Sequence, residues 1–310
     1  MMRDATFTCG DLSNGIEIVP IVGPLCEDTI GFSYIKTNIP GPGVNLQDFE
    51  EQYAGCSCKG ICNPVSCQCL QYFGMAYDSS GKLKSKTIKY SKPVLECGNH
   101  CQCDSKLCVN RVVQHGITKK LEVFHTESKG YGLRLRNCLQ ENIICHSFVC
   151  EYAGEVVGEN EARSRMQKTE TTGSDNYLIV LKEFVSNKTL FTYIDPHKIG
   201  NIARFINHSC DPNLIMVPVR VNHSIPRLAL FACRDITLNE ELTFNYSGIT
   251  LTSKTLITHD AEVNPCDERS ISKQIKEQSC FLEKKQRKQC HCGSNNCSGF
   301  LPFEEQLLCV

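Results

Sequence analysis

The chain has 310 residues, 41% of them hydrophobic and 22% charged, with a formal net charge of -1. That length suits one large domain, or one with smaller attachments. The near-neutral charge argues against a chain whose main task is coating nucleic acid, and no apolar run reaches the length of a membrane span. The opening MMRDATFTCG lacks the charged-then-apolar layout of a secretory signal, so a reducing compartment is expected. In such a compartment 22 cysteines suit metal binding better than disulfides.

The first 50 residues, with PGPGVN, read as an irregular leader wrapping onto the cysteine-rich segment beyond it. There CSCKGICNPVSCQC supplies Cys56, Cys58, Cys62, Cys67 and Cys69. After a polar interval with turn signals, DSSGKLKSK, CGNHCQCDSKLC adds Cys97, Cys101, Cys103 and Cys108. Nine sulfurs cannot all pair as disulfides, and two tetrahedral zinc sites would use only eight. Three zincs need twelve ligand bonds, which nine sulfurs provide if three of them bridge. A trinuclear zinc cluster is therefore expected. The segment has few large apolar residues, so metal binding would supply much of its folding free energy. A closed all-thiolate site leaves no open position for catalysis, and its role is structural.

From about Val112 the texture changes. LEVFHT, KGYGLRL, SFVCEYAGEVV, NYLIVL, LFTYIDP, LIMVPVRV, RLALFACRDI and ELTFNYSG are short, apolar and rich in β-branched and aromatic residues. Turn signals separate them, which predicts many short strands. One surface helix is expected at ENEARSRMQKT, residues 159–169. The fold class is an all-β or β-rich α+β domain, with no Gly-rich nucleotide fingerprint. RFINHSCDPNL, residues 204–214, carries good turn chemistry in Asp-Pro-Asn, but the polar quartet before it is more than a turn requires. Residues 249–288 read as a surface insertion; its KKQRK is expected to be a solvated face, with a nuclear-import patch as the alternative. The tail adds Cys290, Cys292 and Cys297 in CHCGSNNC, one ligand short of a tetrahedral site. Cys9, Cys26, Cys138, Cys145, Cys150, Cys233, Cys266, Cys280 and Cys309 have no metal spacing and are assigned no role.

KGYGLR, CEYAGEVVG, IDPHKIGNIARFINHSCDPNL, LALFACRDI, ELTFNYSG and CHCGSNNC together resemble the SET domain of protein lysine methyltransferases. The nine-cysteine stretch resembles the pre-SET region and the final cysteines the post-SET region of the Su(var)3-9 branch. RLALFACRDI and SGFLPFEEQLLC look most like the SET half of the fusions with a mariner transposase, and no transposase follows here. The resemblance covers roughly residues 50–305. It implies a SET fold of short β-sheets with a knot-like core in which RFINHSC and ELTFNY cross, a rare exception to unthreaded connections.

The same resemblance implies a chemistry and the residues that serve it. Methyl passes directly from S-adenosyl-L-methionine to a lysine amine, which must be neutral although a free lysine has a pKa near 10.4. A desolvated channel beside a sulfonium lowers that pKa. By resemblance, Tyr246 matches the tyrosine beside the transferring methyl, and Tyr152 a second channel tyrosine. Phe244 occupies the position where the family chooses Phe or Tyr, and Phe points to di- or trimethylation. Lys129, Gly130, Tyr131, Tyr177, Arg204, Asn207 and His208 match the donor-binding positions, with Tyr131 standing where Trp is usual. In the family pattern Cys210 is the fourth ligand of a post-SET zinc with Cys290, Cys292 and Cys297, which pins the tail over the active site.

The implied division is a leader over 1–50, pre-SET zinc cluster over 51–113, SET catalytic domain over 114–248, insertion over 249–288 and post-SET over 289–305. The implied substrate is the histone H3 tail, lysine 9 first, with lysine 36 or lysine 4 as alternatives. The implied location is the nucleus, on the chromosome, among chromatin partners and without membrane or sequence-specific nucleic-acid binding. The competing reading is a catalytically inactive SET scaffold that binds chromatin partners.

Overall fold

The structure is a computed structural model that describes residues 8–23, 31–50, 53–89, 94–136, 142–185, 188–247 and 288–302. The expected insertion falls outside the described residues apart from Lys288, as do Cys26, Cys138, Cys266, Cys280 and Cys309.

The first 50 residues depart from the irregular leader expected of them. They supply β1 (Thr8–Asp11), β2 (Pro20–Val22), β3 (Ser33–Tyr34) and β4 (Ile39–Pro40). The Asp11 carboxylate accepts hydrogen bonds from the amides of Ser13, Gly15 and Val19 at 3.0, 2.6 and 2.6 Å, which folds β1 back on β2. Val19 and Ile21 thereby enter the core. Strands of two to four residues are too short for their alternation to be visible in sequence.

The cysteine-rich segment has little regular structure: α1 (Gln68–Phe73), α2 (Ser85–Lys89) and β5 (Val94–Leu95). The central region comes next with β6 (Leu121–His125), β7 (Tyr131–Leu135), β8 (Phe148–Tyr152), β9 (Gly154–Val157) and α3 (Glu159–Thr172). It continues through β10 (Ile179–Val185), β11 (Lys188–Gly200), β12 (Asn207–His208), β13 (Leu214–Arg220), β14 (Arg227–Ala232) and β15 (Glu241–Phe244). Helix α3 buries only Ala162 and Met166, one turn apart, and ends on Gly173 in the left-handed conformation. Its Arg165 reaches Glu155 and Asp195 at 2.9 and 2.8 Å, which anchors a largely polar helix to β9 and β11.

The strands form three sheets, ordered β1-β2-β6-β7-β15-β12, β10-β11-β9-β4 and β5-β13-β14-β8, with β3 added to β11. The leader strands β2, β3 and β4 each pair parallel with a central strand, β6, β11 and β9 respectively. Leu133, Leu135, Ile143, Ile194, Ile202, Ile206 and Leu228 lie in one apolar core drawn from all three sheets. Gly154 sits where β9 meets β11 at a register shift, and a Cβ there would lie 2.6 Å from the Asp195 carbonyl carbon. Only glycine allows the two backbones so close.

One buried carboxylate ties the cysteine-rich segment to the central sheets. Glu96, just after β5, accepts hydrogen bonds from the Tyr77 hydroxyl at 2.8 Å and from the amides of Val112, Val113 and Gln114 at 2.9, 2.7 and 3.2 Å. The Gln114 side-chain amide adds another at 2.8 Å. Charge-assisted bonds to buried donors are strong, and their removal leaves those donors orphaned. Glu96→Ala is therefore expected to lower unfolding stability by about 3 kcal/mol, and Tyr77→Phe by about 1 kcal/mol, in chemical denaturation.

Candidate active site and metal-binding clusters

Strand β12 is short but decisive, because Asn207 and His208 pair in parallel with Thr243 and Phe244 of β15. The two segments singled out as RFINHSC and ELTFNY therefore lie side by side. Just beyond β15, the Tyr246 amide donates to His208 Nδ1 at 3.2 Å, and the two rings sit 5.3 Å apart. The Tyr246 hydroxyl donates to the Ile206 carbonyl at 2.9 Å. Although the residue is 39% exposed, its hydroxyl end is sunk, and burial raises its pKa above the ordinary phenol value. Phe244, 3% exposed, lies between Tyr246 and Tyr152 at ring separations of 4.9 and 5.8 Å. The buried Tyr152 hydroxyl donates to the Tyr177 carbonyl at 2.7 Å, and burial again raises its pKa. Both hydroxyls thus spend their protons on carbonyls and keep lone pairs free to accept.

Tyr177 packs under the Arg204 guanidinium at 4.4 Å and against His197 at 5.5 Å. Arg204 also lies over Phe32 at 4.5 Å and Phe205 at 5.1 Å, while its Nε donates to the Pro196 carbonyl at 3.2 Å. Phe205 continues the aromatic run to Tyr131 at 6.4 Å. Gly130, at φ +72, takes the left-handed turn that lets its carbonyl accept from the Thr126 amide at 2.7 Å, while the Thr126 hydroxyl accepts from the Lys129 amide at 2.9 Å. Asn207 Nδ2 donates to the Tyr131 carbonyl at 3.0 Å and to Glu241 Oε1 at 2.8 Å. Glu241 also forms an ion pair with Lys129.

All ten predicted catalytic and donor-binding residues are thus joined in one continuous set of contacts. Glu241, Phe32, Phe205 and His197 belong to that set and were not singled out from the sequence. Glu241 stands in the quoted ELTFNYSG, yet its partners lie far away in the chain, at Lys129 and Asn207. No local pattern reveals such a partnership.

The nine cysteines of the 56–108 stretch come together. Sulfurs of Cys56, Cys58, Cys62 and Cys67 lie within 4.8 Å of one another, and so do those of Cys62, Cys97, Cys103 and Cys108. Cys56 and Cys97 recur in two further groups, one with Cys67 and Cys69, the other with Cys101 and Cys103. The Cys69 and Cys101 sulfurs are 3.6 Å apart. Five cysteines, Cys56, Cys62, Cys67, Cys97 and Cys103, are shared between groups, and sulfur separations of 3.7 Å link Cys56 to Cys62 and Cys62 to Cys97. A disulfide needs about 2.05 Å. Thiolates on a tetrahedral zinc with bonds of about 2.3 Å are separated by about 3.8 Å, so the donor set fits that ion. The Asn110 amide and the Arg111 guanidinium, each 3.5 Å from a sulfur, donate to Cys97 and Cys103.

The second cluster forms as expected between distant segments: Cys210 meets Cys290, Cys292 and Cys297, all four sulfurs within 4.8 Å. The Asn296 side-chain amide donates to the Cys210 carbonyl at 3.1 Å, and Lys288 binds Asp175 at 2.8 Å, two residues before Tyr177. His208 Nε2 lies 3.4 Å from the Cys210 sulfur. With Nδ1 accepting from Tyr246, the neutral ring carries its proton on Nε2 and aims it at that sulfur. Burial, and then Lys129, lower the His208 pKa and favour this neutral form.

The SET domain family matches residues 130–247 and the Pre-SET motif residues 14–111. The chain is 38% identical over 304 residues to histone-lysine N-methyltransferase SETMAR of Bos taurus, covering 96% of this chain and 91% of that one. The chain belongs to the SET-domain histone-lysine N-methyltransferases. The probable histone-lysine N-methyltransferase set-23 of Caenorhabditis elegans is 36% identical, with 88% of this chain and 98% of that one covered. Among solved structures, the methyltransferase domain of human SETMAR superposes with a TM-score of 0.72 at 35% identity, covering 95% and 98% of the two chains. KRYPTONITE in complex with mCHH DNA, H3(1-15) peptide and SAH gives 0.67 at 29% identity, over 97% of this chain and 55% of that one. Arabidopsis thaliana SUVH6 in complex with SAM gives 0.63 at 27% identity, over 94% and 55%. This enzyme is thus a methyltransferase of the β-rich SET fold, using S-adenosyl-L-methionine on lysine.

One buried acid beside the site responds to pH. Glu151, 5% exposed and next to Tyr152, accepts from the Thr37 hydroxyl at 2.9 Å and lies 3.7 Å from Arg227. Burial outweighs these partners and pushes its pKa up to about 7. A carboxyl raised in the folded state gives stability that is full below its ordinary pKa and lost as pH rises through the folded value. Glu151→Gln is expected to remove that loss. Its stability relative to the parent should grow between pH 5 and 8, by up to about 3 kcal/mol, in denaturant titrations across that range.

Proposed function

We propose that this enzyme methylates the tail of histone H3, lysine 9 ahead of lysine 36 and lysine 4, and carries it to the di- or trimethylated state. The observation that carries this reading is the convergence of Tyr152, Phe244 and Tyr246 beside Tyr177, under a tail docked through Cys210. KRYPTONITE, a relative in fold and sequence, is bound to an H3(1-15) peptide, which supports the choice of histone. Strand β10 has a neighbour on one side only among the described strands, and begins two residues after Tyr177. An extended peptide adds readily to such an edge. A histone substrate puts the enzyme in the nucleus, on the chromosome.

S-adenosyl-L-methionine supplies a methyl activated by its positive sulfur. Lys129, Gly130, Tyr131, Tyr177, Arg204, Asn207 and His208 would hold that donor. Three rings desolvate the incoming lysine and favour its neutral amine. The Tyr152 and Tyr246 oxygens, their own protons committed to carbonyls, accept from the amine and aim its lone pair. Phe244 offers no hydroxyl to hold the amine after a first methyl is attached, so the nitrogen is free to turn and react again.

In this reading the nine thiolates would hold three zincs, and Cys210 with the tail cysteines would hold a fourth. Their role is to fasten backbone. No thiolate takes part in methyl transfer.

Two sets of measurements test this reading. With labelled donor and an H3 peptide series, Tyr246→Phe is expected to lose about a hundredfold or more in turnover while still binding donor. Phe244→Tyr is expected to shift the products toward monomethyl-lysine by mass spectrometry. Equal incorporation by Tyr246→Phe removes the mechanism, and silence of the parent enzyme on every H3 peptide leaves the scaffold reading. Metal analysis is expected to find four zincs per chain, falling to three in Cys210→Ser together with loss of turnover.

A further inference from the structure

The stretch GKLKSKTIKYSK, residues 81–92, carries five lysines and no acid, in a chain whose net charge is -1. Its first half is held rigidly. Tyr77 and Leu83 form an antiparallel bridge, the Asp78 amide donates to the Lys82 carbonyl at 2.9 Å, and the Lys84 amide to the Ala76 carbonyl at 2.8 Å. The Leu83 amide is bound in turn by the His146 carbonyl at 2.9 Å. Leu83 and Thr87 are buried, whereas Lys82 and Lys84 are half-buried and Lys86 is exposed. In an extended stretch alternate residues face one way, so the burial of Leu83 turns its neighbours Lys82 and Lys84 outward.

None of these three lysines is ion-paired to a described residue. The nearby Asp78 carboxylate is engaged in the turn, accepting from the Ser80 amide at 2.8 Å, the Ser80 hydroxyl at 2.7 Å and the Lys82 amide at 3.0 Å. Lys84, Ser85, Lys86 and His146 line one concavity with Asp78 and Leu83. Asp78 offsets the Lys82 charge in part, and the neighbouring Lys84 and Lys86 ammonium groups still repel one another, a cost that an anionic partner relieves.

We propose that this hairpin is a docking surface for the phosphate backbone of duplex DNA, read without regard to sequence. Lysine ammonium groups act as point charges on phosphates. A duplex presents one negative charge about every 1.7 Å of its axis, so several lysines on one face engage it together. The lining of that concavity includes no tyrosine, tryptophan or arginine of the kind that dominates protein–protein interfaces. The inference is separate from the histone reading, and would let the enzyme hold chromatin through DNA while its site works on a tail.

The test is fluorescence anisotropy of a labelled random duplex of about 20 base pairs with the full, zinc-loaded chain between 50 and 200 mM salt. The triple variant Lys82→Glu, Lys84→Glu, Lys86→Glu is expected to bind at least about tenfold more weakly. Its plot of log affinity against log salt should be shallower by about three units, near 0.9 for each lost contact. Lys168→Glu, on the exposed face of α3, is the control for Lys86→Glu alone: it should bind like the parent, whereas Lys86→Glu should make the slope shallower by about one unit. Unchanged affinity and slope in the triple variant overturn the proposal, as does a parent chain that fails to bind at 50 mM salt. Peptide turnover equal to that of the parent shows that the triple variant is folded. A parent silent on H3 peptides counts against the histone reading alone, because circular dichroism and zinc content then report folding and the anisotropy comparison still decides.

Discussion

The parallel pairing of Asn207–His208 with Thr243–Phe244 is the constraint on which the rest of the site depends. Two rungs of ladder are a weak interaction taken alone. Their effect comes from what is attached at each end. On one side Asn207 reaches Tyr131 and Glu241, and Cys210 lies two residues after His208. On the other, Tyr246 lies two residues past the end of the ladder, bonded back to His208 and Ile206. A slip of one residue would exchange the faces of every side chain on the short strand. The aromatic set, the Glu241 link and the fourth cysteine of the tail would all be lost together. Burial of Ile206, Leu242 and Phe244 in the main core specifies the register.

The cysteine-rich segment solves a different problem. Its cluster contains one large aliphatic side chain, Leu70, among buried cysteines, with Cys58 and Cys101 half-buried nearby. Crowded thiols without a cation must divide protons among themselves. A metal removes that conflict by binding all of them as thiolates, and its binding free energy becomes folding free energy. Glu96 then transmits the order outward, since it sits just after β5 and gathers the backbone from Val112 to Gln114 at the start of the central region. Where apolar area is scarce, charge and coordination fix the chain instead.

Much of this was legible in the sequence, and the reason differs from element to element. Cysteine spacing announced the cluster because ligand number and geometry are local arithmetic. The long strands β11, β13 and β14 showed themselves through runs of β-branched and aromatic residues, and α3 was expected at residues 159–169 against an observed span of Glu159–Thr172. The leader was misread because its strands have two to four residues each, and β2, β3 and β4 join the sheets through partners more than a hundred residues away, such as Val123 for Ile21 and Glu155 for Ile39. Glu241 and Phe32 were missed for the same reason. A carboxylate on a strand edge and a phenylalanine in a loop carry no local sign that one will bridge Lys129 to Asn207 and the other will cover Arg204.

The last link joins the tail to the chemistry. His208 touches the Cys210 sulfur through Nε2 and receives the Tyr246 amide on Nδ1, so one imidazole stands between the cysteine that meets the tail and the residue assigned to the reacting methyl. A neutral imidazole has one donor and one acceptor, and here each is committed in a fixed direction. Protonation would cost the ring its acceptor and release the Tyr246 backbone. Loss of the cysteine cluster would instead free the Nε2 side and let the ring turn. In the proposed reading the tail does more than cover the aromatic channel: through Cys210 and His208 it holds the Tyr246 backbone, so a tail that is not docked leaves that backbone less firmly held.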